Sequence, residues 1–215
     1  MGQDAEHGGA AAAIVERLVD VGIDGIGQFS SAQAVADAAR GANPDVEKAI
    51  DAVVRQHVVL AAAGGFVTGV GGLFTLPVAL PANVVGFYAV ATRMVAATAA
   101  LRGYDLREEG VRSAVMLTLV GADADDLLRK VGVPTTGRLT GLATQRLPGP
   151  AAMVVNKAIA FKLLTATGRS AFALLGRGLP VAGGLLGGGV DGFLLYKLGE
   201  HARRELPPRA DIVVR

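Results

Sequence analysis

The chain has 215 residues, 51% of them hydrophobic and 19% charged, which suits one domain with short tails and excludes disorder for the bulk of it. Lys and Arg number 21 against 19 Asp and Glu, a surplus too small for a face that tracks a nucleic-acid backbone, so no nucleic-acid partner is expected. No Cys is present, which removes disulfides, thiolate metal sites and cysteine nucleophiles together, while Gly reaches 30 residues.

The first residues carry acids but no Lys or Arg, unlike the basic opening of a secretory signal, so no signal peptide is expected. Met1-Gly2 lacks the Ser or Thr of a myristoylation site, having Glu6 there. Residues 10–21 have helical spacing, with Ile14, Leu18 and Val21 on one face. Gly22, Gly25 and Gly27 then predict a break, after which Ser30 or Ser31 caps a short helix to about Ala39. Asn43-Pro44 predicts the next start, Asn as cap and Pro at the first helical position, for a helix running toward Ala63. Residues 1–42 are thus read as an N-terminal helical extension, 43–206 as the main helical domain and 207–215 as a tail.

Residues 58–92 carry no formal charge. That is long enough for a membrane span, which needs about 20 residues. Pro77 and Pro81 are expected to split the run into two pieces joined by a turn, making it a buried hairpin or a membrane-inserting one. The second piece, about 82–101, stops at Gly103, and Asp105 with Glu108 predicts a capping box for a helix that buries Val111, Val115 and Leu119. Residues 123–131 read as a short polar helix, 132–150 as irregular, and 151–165, 170–175 and 179–205 as further apolar segments. No alternation lasts long enough to build a sheet, so the fold class is all-α: a compact multi-helix bundle with two glycine-rich apolar hairpins, about 60–99 and 179–195.

Glycines four apart form grooves along helices: Gly65 with Gly69, Gly183 with Gly187, Gly184 with Gly188, and Gly188 with Gly192. With Gly72, these are candidates for close helix packing, and the two glycine blocks are expected to lie together. They do not make a phosphate-binding loop, since no Gly-Lys-Ser/Thr ending occurs.

Polar groups inside apolar segments must find partners, because an unpaired buried charge is costly. The set is Asn83, Arg93, Asp105, Arg112, Asn156, Lys157 and Asp191, with Arg93–Asp191, Lys157–Asp191 and Arg112–Asp105 as expected pairs. Five of them, Asn83, Arg93, Asn156, Lys157 and Asp191, are candidates to line a site for a lipid headgroup or other anion. His7, His57 and His201 lack metal-ligand spacing, His57 reads as a packed residue, and Ser113 and Ser170 lack a nucleophile's context. No catalytic residue, metal or cofactor is expected, and a hydrolase of unknown substrate is the weakest reading.

The blocks Ala63-Gly-Gly-Phe-Val-Thr-Gly-Val-Gly-Gly72, Leu76-Pro-Val-Ala-Leu-Pro81, Arg93-Met94, Gly103-Tyr-Asp105, Asn156-Lys157 and Leu179-Pro-Val-Ala-Gly-Gly184 with Asp191 follow in order. In this order and spacing the sequence resembles the EcsC family of bacterial proteins over about residues 46–204. The resemblance implies a helical, membrane-linked protein, since the founding member shares an operon with the components of an ABC transporter, and it supplies no catalytic mechanism. The expected function is therefore a non-enzymatic, membrane-associated accessory protein linked to an ABC transporter or to secretion, cytoplasmic and peripheral to or partly inserted in the inner membrane. Its partners are a lipid bilayer, a transporter or a second copy of itself. The alternative is a soluble helical bundle that binds a lipid or other apolar ligand in a cavity.

Overall fold

The computed structural model describes residues 16–70, 72–120 and 180–209, the side chains of 65–84, 120 and 180–186 aside. The described residues are all-α. Helix α1 covers 16–24, α2 Ala32–Ala42, α3 Val46–Val70, α4 Gly72–Leu101, α5 Glu109–Val120 and α6 Pro180–Glu205. The segments expected over 123–131, 132–150, 151–165 and 170–175 lie outside the described residues.

Helix α4 is the axis of the bundle. Its residues 89–99 are buried on every side, from Ala89 to Ala99 without interruption, and α2, α3, α5 and α6 all pack against it. Seven of these eleven residues are alanine or threonine, and Val90, Met94 and Val95 fill the gaps between neighbours. A helix apolar all round belongs in a core rather than at a surface. Thr92 and Thr98 enter this core because each hydroxyl donates to the carbonyl four residues back, Tyr88 at 2.8 Å and Met94 at 2.9 Å. Leu18, Val19 and Ile23 of α1, Ala32 and Ala36 of α2, and Val111, Val115 and Leu119 of α5 join the same cluster.

Several boundaries differ from the sequence reading. Helix α1 continues through Gly22 and the chain breaks only at Gly25, whose φ of 80° is the left-handed geometry that glycine tolerates. Ser31 caps α2 by accepting from the Ala34 amide at 3.2 Å. Asn43 closes α2 instead of opening α3; the start of α3 belongs to Asp45, whose Oδ1 accepts from the amides of Glu47 at 2.8 Å and Lys48 at 3.1 Å.

The break between the two helices falls between Val70 and Gly72, and α4 continues as one helix through Pro77 and Pro81. Proline's fixed φ is itself helical, so each costs an amide donor and crowds one carbonyl, whereas adjacent glycines give up the most chain entropy on joining a helix. The stop at Gly103 is a Schellman motif, with Gly103 at φ 91° donating to Ala100 at 3.0 Å and Tyr104 donating to Ala99 at 3.0 Å. Asp105 is no capping box for α5. Its carboxylate takes the Arg107 amide and guanidinium, and Glu108 reaches Arg209 at 3.3 Å.

Among the described residues, helices α3 and α6 form the most extensive pair and run antiparallel. Gly199 lies against Val54, and Gly192 against Val58 and Ala62. The start of α6 at Pro180 is therefore directed toward the end of α3 at Val70.

Three glycines show where close approach is obligatory. A Cβ at Gly192 would sit 3.3 Å from that of Ala62, one at Gly199 would sit 2.8 Å from a Val54 methyl, and one at Gly22 would sit 2.5 Å from Thr92 Cβ and 3.1 Å from the Ala89 carbonyl. Gly22 has the least room to relax, because Thr92 is buried and tied to Tyr88. Gly22→Ala is therefore expected to destabilise by about 2 kcal/mol despite its better helix propensity. Gly189 in α6 meets nothing within 4 Å, so Gly189→Ala is expected to stabilise by about 0.5–1 kcal/mol. Urea unfolding of the two variants reads this difference in sign.

A buried arginine at the boundary between two ends of the bundle

Among the described residues, ion pairs gather at one end of the bundle and exposed apolar side chains, with the half-buried Asp191 beside them, toward the other. Remote from the hairpin turn, Arg102 pairs with Glu47, Arg203 with Asp51, Arg209 with Glu108, and Arg112 with Asp20 and Asp24. Arg40 donates to the Leu101 carbonyl at 2.7 Å, and Tyr104 to the Pro207 carbonyl at 2.8 Å, closing the tail onto the same end. Such exposed pairs add little stability individually, but together they mark the face that water must reach.

Toward the turn, charge gives way to exposed apolar side chains at one height on α3 and α6. Val59 and Leu60 of α3, Val190, Phe193 and Leu194 of α6, and Val85 of α4 are all exposed, with Val59 at 64% and Phe193 at 59%. On the charged side of this belt stand Arg55 and Gln56 on α3 and Tyr196 and Lys197 on α6, also exposed. The antiparallel register brings these two borders level, since Gly192 faces Val58 and Ala62 while Gly199 faces Val54. From Val59 to the end of α3 the helix rises about 17 Å, at about 1.5 Å per residue. One leaflet of a bilayer's hydrocarbon core is about 15 Å thick. Among the described residues no helix is long and apolar enough to cross a membrane.

At this border, inside the bundle, lies Arg93. It is 7% exposed, and its Nε donates to Nε2 of the fully buried His57 at 3.0 Å. His57 Nδ1 meets the Val53 carbonyl at 2.8 Å. A carbonyl only accepts, so Nδ1 carries the proton and Nε2 is free to accept from Arg93. Burial pushes the His57 pKa down to about 4; the Val53 bond opposes this and the Arg93 charge adds to it. The Arg93 guanidinium carbon lies 3.8 Å above the Phe29 ring, a cation–π contact from the turn between α1 and α2. That turn is fixed by reciprocal backbone bonds of 2.9 Å between Ile26 and Phe29. Burial also lowers the Arg93 pKa.

The expected partnerships are therefore redrawn. Arg93 pairs with His57 rather than Asp191, and Arg112 takes Asp20 and Asp24 rather than Asp105, because α1 lies beside the start of α5 while Asp105 is held by Arg107. Asp191 sits half-buried on α6. Asn83 lies on α4 within the stretch whose side chains are not described, and Asn156 and Lys157 lie outside the described residues. Of the five candidate ligand residues, only Arg93 is placed in a defined polar constellation. Its partners His57 and Phe29 were not in the candidate set: Phe29 has no sequence signal, whereas His57 lies four residues after the Val53 carbonyl that fixes its ring.

A separate groove of about 360 Å³ lies between α2 and α3, lined mainly by Ala34, Val35, Ala38, Ala39, Ala52 and Val53. Among the described residues no three His, Asp or Glu side chains gather as metal ligands would. No curated protein and no solved structure matches the chain. Residues 26–209, which include the Arg93 constellation and both sides of the apolar belt, match the EcsC protein family, and the chain belongs to it.

Proposed function

We propose that the protein is a non-enzymatic accessory protein of a membrane, whose uncharged end enters one leaflet of the bilayer while the ion-paired end stays in the aqueous phase, in the service of a membrane transporter. The observation that carries this reading is the belt of exposed Val59, Leu60, Val190, Phe193 and Leu194 at one height on α3 and α6. An apolar patch that continues across two helices, bordered by Tyr196, Lys197 and Arg55, has the layout of an interfacial anchor. The depth from belt to turn suits one leaflet, in keeping with a hairpin that dips in and returns.

Flotation on liposomes tests it. Binding to phosphatidylcholine vesicles that survives high salt supports apolar insertion, because screening weakens charge attraction and leaves hydrophobic burial intact. Failure to float on any vesicle at either salt removes the reading. The alanine-lined groove favours a second reading, a bundle that holds an apolar ligand between α2 and α3. Native mass spectrometry of the purified protein checks it: added mass in the wild type that disappears on Ala38→Leu supports it, and bare protein removes it.

A further inference from the structure

We infer that Arg93 is the receptor for a phosphate-type oxyanion, held by the two terminal nitrogens of its guanidinium. Arg93 is more than nine-tenths buried, yet its only hydrogen bond among the described residues runs from Nε to a histidine. That histidine is neutral, since burial holds its pKa near 4, so the bond orients the arginine without balancing its charge. The Phe29 ring covers one face of the guanidinium and offers no lone pair. No carboxylate approaches Arg93 within ion-pair distance among the described residues, although Arg40, Arg102, Arg107, Arg112, Arg203 and Arg209 each have an acidic or carbonyl partner.

A buried cation without an anion is costly, and an oxyanion held at the fork brings the missing charge. Because Nε is already engaged, the edge left over is the pair of terminal nitrogens, a planar fork with the spacing of two phosphate oxygens. His57 and Phe29 keep this fork in one orientation before any ligand arrives, which lowers the ordering cost of binding.

The height of the site indicates where the oxyanion comes from. Arg93 is bonded to His57, two residues on the charged side of Val59, so it lies level with the border where lipid phosphates gather if the uncharged end is inserted. This inference rests on the membrane reading only for the source of the phosphate, a lipid headgroup or free phosphate. The fork itself does not depend on it.

The experiment compares full-length wild type with Arg93→Lys, which keeps the charge and loses the fork, and with Arg93→Gln. Two probes are used: inorganic phosphate followed by thermal melting and by the ¹⁵N resonance of the arginine Nε, and flotation at high salt on phosphatidylcholine vesicles with and without phosphatidylglycerol. If the source is a headgroup, the wild type prefers phosphatidylglycerol vesicles by about tenfold. Both variants lose that preference yet still float on phosphatidylcholine. If the source is free phosphate, millimolar phosphate raises the wild-type Tm and shifts the Nε resonance, and Arg93→Lys shows no rise. Either result supports the site. An Arg93-dependent phosphate response in a protein that floats on no vesicle keeps the site and discards the membrane reading. The site is overturned if Arg93→Lys matches the wild type with both probes, or if the wild type responds to neither. Should Arg93→Gln fail to fold, Arg93→Lys and the wild-type resonance decide the matter.

Discussion

Replacing Val59 and Phe193 together by glutamate is expected to lower liposome partitioning by about a thousandfold while leaving the thermal midpoint within a few degrees of wild type. Both side chains are more than half exposed, so in water neither contributes much to the core and neither replacement opens a cavity. At the membrane each forfeits about 2 kcal/mol of apolar burial, and two such losses amount to roughly three decades in the partition constant. Desolvating two carboxylates adds to the loss. The fit is helical: Val59 and Phe193 sit on different helices at the same height, so each single variant is expected to lose about half of the effect on a logarithmic scale. Co-flotation and a melting curve on the same samples settle it, and loss of flotation accompanied by a collapsed Tm would instead place these residues in the fold. Lys197→Glu on the charged side of the belt is the matched control, and it is expected to alter binding to anionic vesicles far more than to neutral ones.

What was legible in the sequence follows from how locally each feature is determined. The helices announce themselves because capping and periodicity act within a few residues: Ser31 caps α2, Gly103 stops α4, and Val111, Val115 and Leu119 line the buried face of α5. The misplaced hairpin turn shows the limit of that locality. Pro77 and Pro81 are strong breakers in isolation, but a helix built to pass through a bundle tolerates two missing amides when a glycine pair nearby offers a cheaper place to reverse. Gly22 reads as a break for the same reason. Nothing in its own neighbourhood reveals that Thr92, seventy positions later, needs the space of its absent side chain.

The candidate site was legible as to type and not as to partner. A charge in a 35-residue neighbourhood of apolar side chains was bound to matter, and Arg93 does stand apart in the structure. Its pairing was expected by charge, which pointed to Asp191, whereas the fold chose His57 on the basis of where α3 and α4 cross. Sequence proximity supplies the first half of that choice, since His57 Nδ1 is committed to the carbonyl one helical turn back. The second half, and the placing of Phe29 above the guanidinium, are products of tertiary packing alone.

Acidification is expected to weaken the fold through His57. In the folded protein its pKa is held at about 4, mainly because burial disfavours the charged ring, whereas an unfolded histidine titrates near 6.5. Between these values the unfolded chain binds a proton that the folded chain refuses, so stability is fully present above about pH 6.5 and falls as the pH drops toward 4. The loss approaches about 3 kcal/mol at the bottom of that window and then levels off. Asp105, held at about 2 by the hydrogen bonds of Arg107, adds its own loss mostly below pH 4, where the unfolded carboxylate takes up a proton and the folded one does not. Urea unfolding at pH 7, 5.5 and 4 measures the effect, with His57→Gln as the comparison. Glutamine can accept from Arg93 but does not titrate, so the variant is expected to begin less stable than wild type at pH 7 and to lose about 3 kcal/mol less on the way to pH 4. Parallel losses in the two proteins would mean that His57 is not the group being protonated. The same proton has a local consequence, because an imidazolium donates from both nitrogens and can no longer accept from Arg93. Two like charges then share one buried space, and the arginine fork loses the bond that orients it, so anion capture at Arg93 fails around and below pH 4, where the folded protein itself takes up the proton and the stability loss levels off.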